Sequence, residues 1–331
     1  MDNEPQPLTA DELKRFYEYL REKKIFCKET PFKRKARFWQ REQGKGLIIP
    51  NIKEVLLKET SAKEGKNFYM DNFGIFDAVQ KRYPNFSEQL YQDMLSSKHI
   101  PFNMFIPLYE GKGKDNKYFT KIFNEIIGNK IKSIDLLEIE KPIEYLEDET
   151  SFDAYIEYTS IDNEIDNRKG IIGIEVKYTE TSYSLKTKSA ERDKVYTENS
   201  TYYTITNASP AFIGKPYTPK DELRKNEYRQ IWRNHILGES ILQKNNEKFK
   251  DFTSITVYPK GNNHFTTVGK NYKDKFLDNK YKHRCLFFKY EDLFDLFEKH
   301  CPNKKYKKWI EWMELRYIVN DDEIRKICQI K

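Results

Sequence analysis

Two acidic residues and a lysine stand in a pattern that could carry metal-dependent chemistry. Asp153 lies at the start of an apolar run at residues 152–158, and Glu175 and Lys177 lie within a second apolar run at residues 171–178. Apolar and β-branched runs of this length predict two β-strands joined by a long polar loop. Because side chains alternate across a strand, Glu175 and Lys177 share one face of the second strand.

The first strand supplies a second carboxylate if the two strands are antiparallel neighbours. The register centred on the loop places Asp153 opposite Glu175, where Cβ atoms of cross-strand partners lie roughly 4.5 to 5.5 Å apart. A one-residue slip would turn the charged residues toward the apolar face, so the sequence favours this register. Gly173, on the same polar face, would leave room for a substrate phosphate. Because Lys177 is expected on this face, we expect Lys177→Ala to leave the fold intact.

Two carboxylates at such a separation repel each other unless a cation neutralises them. Hard oxygen ligands suit Mg²⁺ or Mn²⁺, and such an ion activates bound water and offsets charge on a phosphate, while an adjacent lysine orients that water. The alternative is a solvated strand edge with a weak surface ion pair, the usual meaning of an isolated E-x-K. The functional interpretation is favoured because Asp153 and the upstream residues Glu138 and Glu140 accompany the motif.

The elements around this pair alternate between strands and helices. Segments with strand-like content lie at residues 136–139, 152–158, 171–178, 254–258 and 285–290. Segments with helical character lie at residues 118–127 and 222–242, with a further helix that begins near Glu291. Interspersed helices and strands predict an α/β layered core.

The N-terminal part of the chain is predicted to be mainly helical, with a first helix that follows a capping box at residues 9–12 and ends near Lys23.

A basic and aromatic segment follows this helix. Lys33, Arg34 and Arg37 alternate here with aromatic side chains. The segment is interpreted either as a surface that contacts a phosphate backbone or as a helix that packs Phe38 and Trp39 inward while its cations are solvated.

Composition limits the class of protein. Apolar residues make up 38% of the 331 residues and charged residues 34%, but 23 Tyr and 22 Phe can supply a core. The net charge of +7 excludes a dense polycation and leaves room for a local basic groove.

The cysteines and the hydropathy predict a cytoplasmic protein. Cys27, Cys285, Cys301 and Cys328 lack the spacing of a zinc site, so reduced thiols are expected. No stretch approaches the roughly 18 apolar residues of a membrane span, and no apolar segment typical of a signal peptide occurs near the N-terminus.

Residues 151–154, followed by residues 173–178, resemble the PD-(D/E)XK nuclease superfamily, and more closely a group of bacterial restriction-endonuclease-like proteins. Similarity to that group extends to residues 102–108 and 230–235, so that it covers roughly residues 100–290. The resemblance implies an α/β fold with a restriction-endonuclease-like mixed β-sheet flanked by helices. The expected organisation has three parts, which are a mainly helical extension at 1–95, a nuclease core at 96–300 and a C-terminal helical segment at 301–331.

The resemblance also implies roles for the site residues. Asp153 and Glu175 would bind Mg²⁺ or Mn²⁺ together with the backbone carbonyl of Val176, and Lys177 would serve the attacking water. Glu140 would add a further carboxylate to the metal site. The loop between the two strands is longer than the commonest hairpin of the family, which weakens the register argument but not the identity of the residues.

Two further residues would contact nucleic acid according to the resemblance. Gln230 would face the site from its helix and Arg233 would contact phosphate, although ordinary helix packing is an equal alternative for both. His235, next along, is interpreted as a structural histidine.

The activity implied is that of a Mg-dependent phosphodiesterase, an endonuclease rather than an exonuclease, that acts on DNA in bacterial defence. RNA as the substrate, a homodimer and a regulatory partner stay open. The alternatives are a repair or RNA-processing nuclease and a non-catalytic nucleic-acid-binding or assembly subunit that retains the fold.

Overall fold

A computed structural model describes eight ranges of the chain, residues 10–22, 28–44, 55–70, 73–109, 117–161, 167–182, 184–214 and 222–329. The chain divides into two compact units. The helical unit comprises Met1–Glu110, Pro259–Gly261 and Tyr290–Lys331, and the sheet unit comprises Gly111–Tyr258 and Asn262–Lys289. Residues 1–95 and 301–331, expected as separate parts, thus fall within one unit, which also takes in neighbouring residues.

The sheet unit is built on five strands in the order β1-β2-β3-β4-β5. The strands are β1 Ile131–Ile139, β2 Ala154–Ser160, β3 Lys169–Val176, β4 Phe249–Tyr258 and β5 Cys285–Lys289. β1, β2 and β3 pair antiparallel, whereas β3, β4 and β5 pair parallel. The helices of this unit are α7 Lys117–Ile127, α8 Ala190–Tyr196, α9 Thr201–Ala208, α10 Asn226–Lys244 and α11 Asn263–Phe276. A mixed sheet with flanking helices confirms the predicted α/β class.

The pairing of β2 with β3 has the register that the sequence predicts. Ala154 pairs with Ile174 and Ile156 with Ile172, both in antiparallel fashion. The next pair outward in this register would be Asp153 and Glu175. The long loop between the strands therefore does not shift the pairing.

Both faces of β3 are covered, unlike the expected strand with one polar face. Every residue of β3 after Lys169 is buried, as in a central strand that carries helices or other layers on both sides. α10 contacts both β3 and β4. A Cβ atom added at Gly238 of α10 would lie 2.1 Å from the Phe252 ring of β4, so this glycine allows the helix to approach the sheet closely.

The helical unit contains nine α-helices within its described residues. They are α1 Ala10–Glu22, α2 Pro31–Gly44, α3 Glu59–Lys63, α4 Ile75–Arg82, α5 Glu88–Tyr91, α6 Ile100–Phe105, α12 Tyr290–Lys299, α13 Lys304–Tyr317 and α14 Asp321–Cys328. α1 confirms the predicted first helix. Asn103 of α6 links distant parts of this unit: its side chain donates to the Tyr317 hydroxyl at 2.8 Å, and its carbonyl accepts from Trp309 Nε1 at 2.7 Å.

The described cysteines differ in their bonding state. Cys285 and Cys301 are free thiols, but Cys328 is disulfide-bonded, so the prediction that all cysteines are reduced is wrong for Cys328. Spacing along the chain does not reveal which thiols lie within bonding distance in the fold.

Within the described ranges, no helix has both the length and the apolar character required to cross a membrane.

Candidate active site

Asp153 lies immediately before β2, at the edge of the sheet where β1 and β3 end. The Val176 N–H donates a hydrogen bond to Asp153 Oδ2 at 2.6 Å, and the Glu140 N–H donates to the Asp153 carbonyl at 3.2 Å. Glu140 adopts a left-handed φ of +50°, directly after the last residue of β1. Backbone groups from the ends of both neighbouring strands therefore hold Asp153 in position.

Glu175 forms the centre of a buried polar group. Lys177 Nζ lies 2.5 Å from Glu175 Oε1, and Gln230 Nε2 of α10 donates to the same oxygen at 2.6 Å. The side chains of Glu175 and Lys177 are only 10% and 8% exposed. The structure thus brings Gln230 to the predicted pair. Because Lys177 is buried against a carboxylate, its loss is expected to affect stability, contrary to the expectation from the strand pattern.

The charges of these side chains influence one another. Burial and the negative charge of Glu175 raise the pKa of Asp153 well above its usual range, against the opposing effects of Lys177 and the Val176 N–H. Burial lowers the pKa of Lys177, but the carboxylates of Glu175 and Asp153 outweigh it, so the net shift is upward. The lysine is therefore held as an ammonium, which donates hydrogen bonds.

The donor set fits a hard divalent cation. Asp153 and Glu175 are near enough for the charge of Glu175 to raise the pKa of Asp153, and half-buried Glu140 adds to the same effect. A cation between the carboxylates would remove this repulsion. Among the residues that the structure describes, no three His, Cys, Asp or Glu side chains form a metal-binding group. The remaining ligands would be the Val176 carbonyl, as the resemblance implies, water and substrate.

The space beside Gly173 is filled, so the expectation that it would receive a substrate phosphate is wrong. A Cβ atom added at Gly173 would lie 2.3 Å from Cε1 of Phe152. Phe152 precedes β2 and does not follow its alternation. Its ring packs 6.4 Å from the Tyr155 ring and 6.0 Å from the Phe252 ring, measured between centroids. Gly173 therefore accommodates the aromatic residue directly before Asp153.

Comparison with models of known protein families identifies the family of this chain. A family model described as the PD-(D/E)XK nuclease superfamily matches residues 28–319, which is most of the chain. The chain belongs to the PD-(D/E)XK nuclease superfamily. The match extends beyond the region that the motifs suggested, and the mixed five-stranded sheet with its flanking helices is consistent with a restriction-endonuclease-like fold. Searches of curated proteins and of solved structures each found no match.

Arg233 forms ion pairs with two carboxylate side chains of the same chain. Its Nε donates to Asp148 Oδ2 at 2.7 Å, and its Nη1 lies 3.8 Å from Glu191. The Asp148 side chain is fully buried and also accepts a hydrogen bond from the Tyr202 hydroxyl. Arg233 therefore joins α10 to the segment before β2. No local pattern indicates Asp148, Glu191 or Tyr202 as partners of Arg233, because these residues lie on segments that meet only in the fold.

The three cations predicted to contact nucleic acid near the N-terminus lie on α2, in the helical unit. Arg34 and Arg37 are buried, and Arg37 Nε donates to both carboxylate oxygens of Glu29 at 2.8 Å. Lys33 is half-buried. The second interpretation is confirmed for Phe38 and Trp39, which are buried, but the two arginines beside them are enclosed rather than solvated. Contact of this segment with nucleic acid stays a prediction.

His235 has the character of a structural residue. It is buried on α10, and its Nδ1 lies 3.3 Å from the Tyr272 hydroxyl. Burial lowers the pKa of His235 to about 3, so the imidazole is neutral at physiological pH. The arrangement offers no charged group for catalysis.

Proposed function

We propose that the chain is a metal-dependent nuclease that hydrolyses phosphodiester bonds, with Asp153, Glu175 and Lys177 as its active-site residues. The observation that carries the proposal is the convergence of two carboxylates and an ammonium at one edge of a sheet in a chain of the PD-(D/E)XK nuclease superfamily. Fold alone does not define activity, so the proposal rests on this site.

Each side chain has a defined task in the proposed reaction. Asp153 and Glu175, with the Val176 carbonyl, would hold Mg²⁺ or Mn²⁺, which when bound supplies an activated water and charge compensation for the phosphate. Asp153 is oriented by the Val176 N–H. Lys177, kept as an ammonium beside Glu175, would donate a hydrogen bond that orients the attacking water. Gln230 fixes the Glu175 side chain through its amide.

Substrate and biological role follow from the resemblance and form part of the proposal. We take DNA as the substrate, cleavage within the strand as the reaction and bacterial defence as the setting.

The test is a cleavage assay with purified protein on supercoiled plasmid, linear DNA and RNA, each with Mg²⁺, Mn²⁺ or EDTA. We expect nicked and linear plasmid with Mg²⁺ or Mn²⁺ and intact plasmid with EDTA. Asp153→Asn should abolish cleavage, whereas Asp193→Asn, a matched change at an exposed position of α8, should not. Binding of nucleic acid without cleavage in any metal would favour the non-catalytic subunit instead.

A further inference from the structure

A cavity of about 320 Å³ opens beside β2 in the sheet unit. Its lining combines residues of β2, the segment after β1, the end of α10 and the start of β4. The volume is at the lower end of the range for small-molecule sites, roughly 300 to 1,000 Å³. The cavity can therefore take a group of modest size rather than a folded partner.

The carboxylate of Glu157 forms part of the cavity lining and acts as a hydrogen-bond acceptor. The Glu157 side chain is 7% exposed, and its Oε1 accepts from the Tyr155 hydroxyl at 3.2 Å and from Lys248 Nζ at 3.3 Å. Its Oε2 lies 3.9 Å from Lys169 Nζ. Since an ionised carboxylate offers about four lone-pair sites, Glu157 retains capacity for a donor on a ligand.

Apolar and aromatic surfaces make up much of the remaining lining. Ile143, Ile241 and Phe249 are buried residues on its sides. Tyr155 adds an aromatic surface next to Glu157. Flat apolar surfaces of this kind favour a planar group, because aromatic rings gain contact area and stacking energy with such ligands.

Two lysines place positive charge at the partly exposed border of the cavity. Lys141 Nζ lies 4.7 Å from the centroid of the Tyr155 ring, and Lys248 Nζ lies 4.6 Å from that of Phe249. Their side chains are 30% and 53% exposed. An anionic group attached to the ligand would be stabilised at this border, whereas a fully anionic ligand would meet the Glu157 carboxylate inside.

The cavity is adjacent to the candidate active site. Tyr155 and Glu157 lie two and four residues after Asp153 in the sequence. Along an extended strand these separations correspond to about 7 and 13 Å, on the same face. A polymer with one phosphate at Asp153 could therefore place a neighbouring group in the cavity.

We propose that this cavity binds an unstacked nucleobase of the nucleic-acid substrate, with the Glu157 carboxylate accepting from an exocyclic amine. A nucleobase is planar and carries an exocyclic amine in cytosine, adenine and guanine, and its attached phosphates match the positive charge of Lys141 and Lys248. In the same pose thymine presents its O4 oxygen where cytosine presents its N4 amine, so an acceptor would face the Glu157 carboxylate. The inference rests on the proposed nuclease function, and it adds a base preference.

The test measures binding of single-stranded oligodeoxynucleotides of about 12 residues, a length within the site sizes of single-strand binders, in EDTA to prevent cleavage. Oligo(dC) and oligo(dT) are compared because both bases are pyrimidines of similar size. A hydrogen bond to a charged group predicts that wild type binds oligo(dC) about tenfold more tightly. Glu157→Gln should remove this preference, because its amide also presents a donor to thymine. Glu198→Gln, at an exposed position, should retain it.

An equal affinity of wild type for the two oligonucleotides, or an unchanged preference in folded Glu157→Gln, would overturn the proposal. If that variant does not fold, crystals of the wild-type protein with a deoxycytidine dinucleotide decide: cytosine against Glu157 supports the proposal, and a base bound elsewhere refutes it. The plasmid assay is independent. If the plasmid is cleaved but oligonucleotide binding shows no base preference, only the cavity assignment is refuted. If binding shows a base preference but no substrate is cleaved, only the nuclease assignment is refuted.

Discussion

Replacement of Gly173 by alanine would show how tightly the sheet fixes the position of Asp153. The added Cβ would lie 2.3, 2.5 and 2.6 Å from three ring atoms of Phe152. Carbon atoms pack best at about 3.5 to 4.0 Å, so the ring or the strand must move by about 1 Å. Phe152 is fully buried between Tyr155 and Phe252, so the ring has no route to solvent.

The expected loss of stability follows from this overpacking. Extra carbon atoms in a packed core cost about 1 to 3 kcal/mol. A loss of about 2 kcal/mol would lower the melting temperature of a unit of this size by about 4 to 8 °C. Because Phe152 directly precedes Asp153, movement of the ring should also disturb the hydrogen bond from the Val176 N–H at 2.6 Å. Metal-dependent cleavage should therefore fall further than the loss of folded protein explains.

The assay is thermal and urea unfolding of Gly173→Ala, Phe152→Leu and the double variant. With the smaller side chain at 152, alanine at 173 should cost less than it does in wild type, by about 0.5 to 3 kcal/mol of coupling. A Gly173→Ala protein as stable as wild type would refute the packing argument. Additive effects of the two substitutions would show that the alanine acts elsewhere.

Two other predictions concern buried charge. Arg233→Ala should lower the free energy of unfolding by about 3 to 5 kcal/mol, because it removes an ion-pair partner from buried Asp148. Lys225→Ala, which breaks the exposed pair with Glu222, should cost less than about 1 kcal/mol. Similar urea midpoints for the two variants would contradict this prediction. Burial lowers the pKa of His235 from 6.5 to about 3, so its contribution to stability is fully present above pH 6.5 and is lost as the pH falls toward 3. Between pH 7 and pH 5, wild type should therefore lose about 2 kcal/mol more than His235→Phe, and parallel pH profiles would contradict that expectation.

The strand pair could be predicted because its signal is local. Apolar runs of strand length on either side of the loop indicate the strands, and a side-chain period of two leaves little freedom of register once charged residues must avoid the core. The register of Ala154 with Ile174 confirms this. The composition of α7 and α10 likewise indicates helices, whose observed bounds differ by only a few residues from those predicted.

The surroundings of the site could not be predicted because they depend on long-range packing. Phe152 departs from strand alternation to cover Gly173, which depends on the space left by Tyr155 and Phe252. Arg233 pairs with Asp148 across 85 positions of sequence. The helices α8, α9 and α11 were not predicted, and α11 carries Thr, Gly and aromatic residues that weaken its helical pattern.

The most direct test of the central claim is the single-turnover cleavage rate of Lys177→Ala on plasmid DNA with Mg²⁺. Because Lys177 is buried against Glu175, near-UV circular dichroism and the melting temperature must first show that the variant is folded at the assay temperature. Lys188→Ala, at an exposed position of the same unit, is the matched control. We expect a cleavage rate lower than that of wild type by about 100- to 10,000-fold, with DNA affinity changed by less than about tenfold. Equal cleavage by wild type and folded Lys177→Ala would contradict the assignment of the active site.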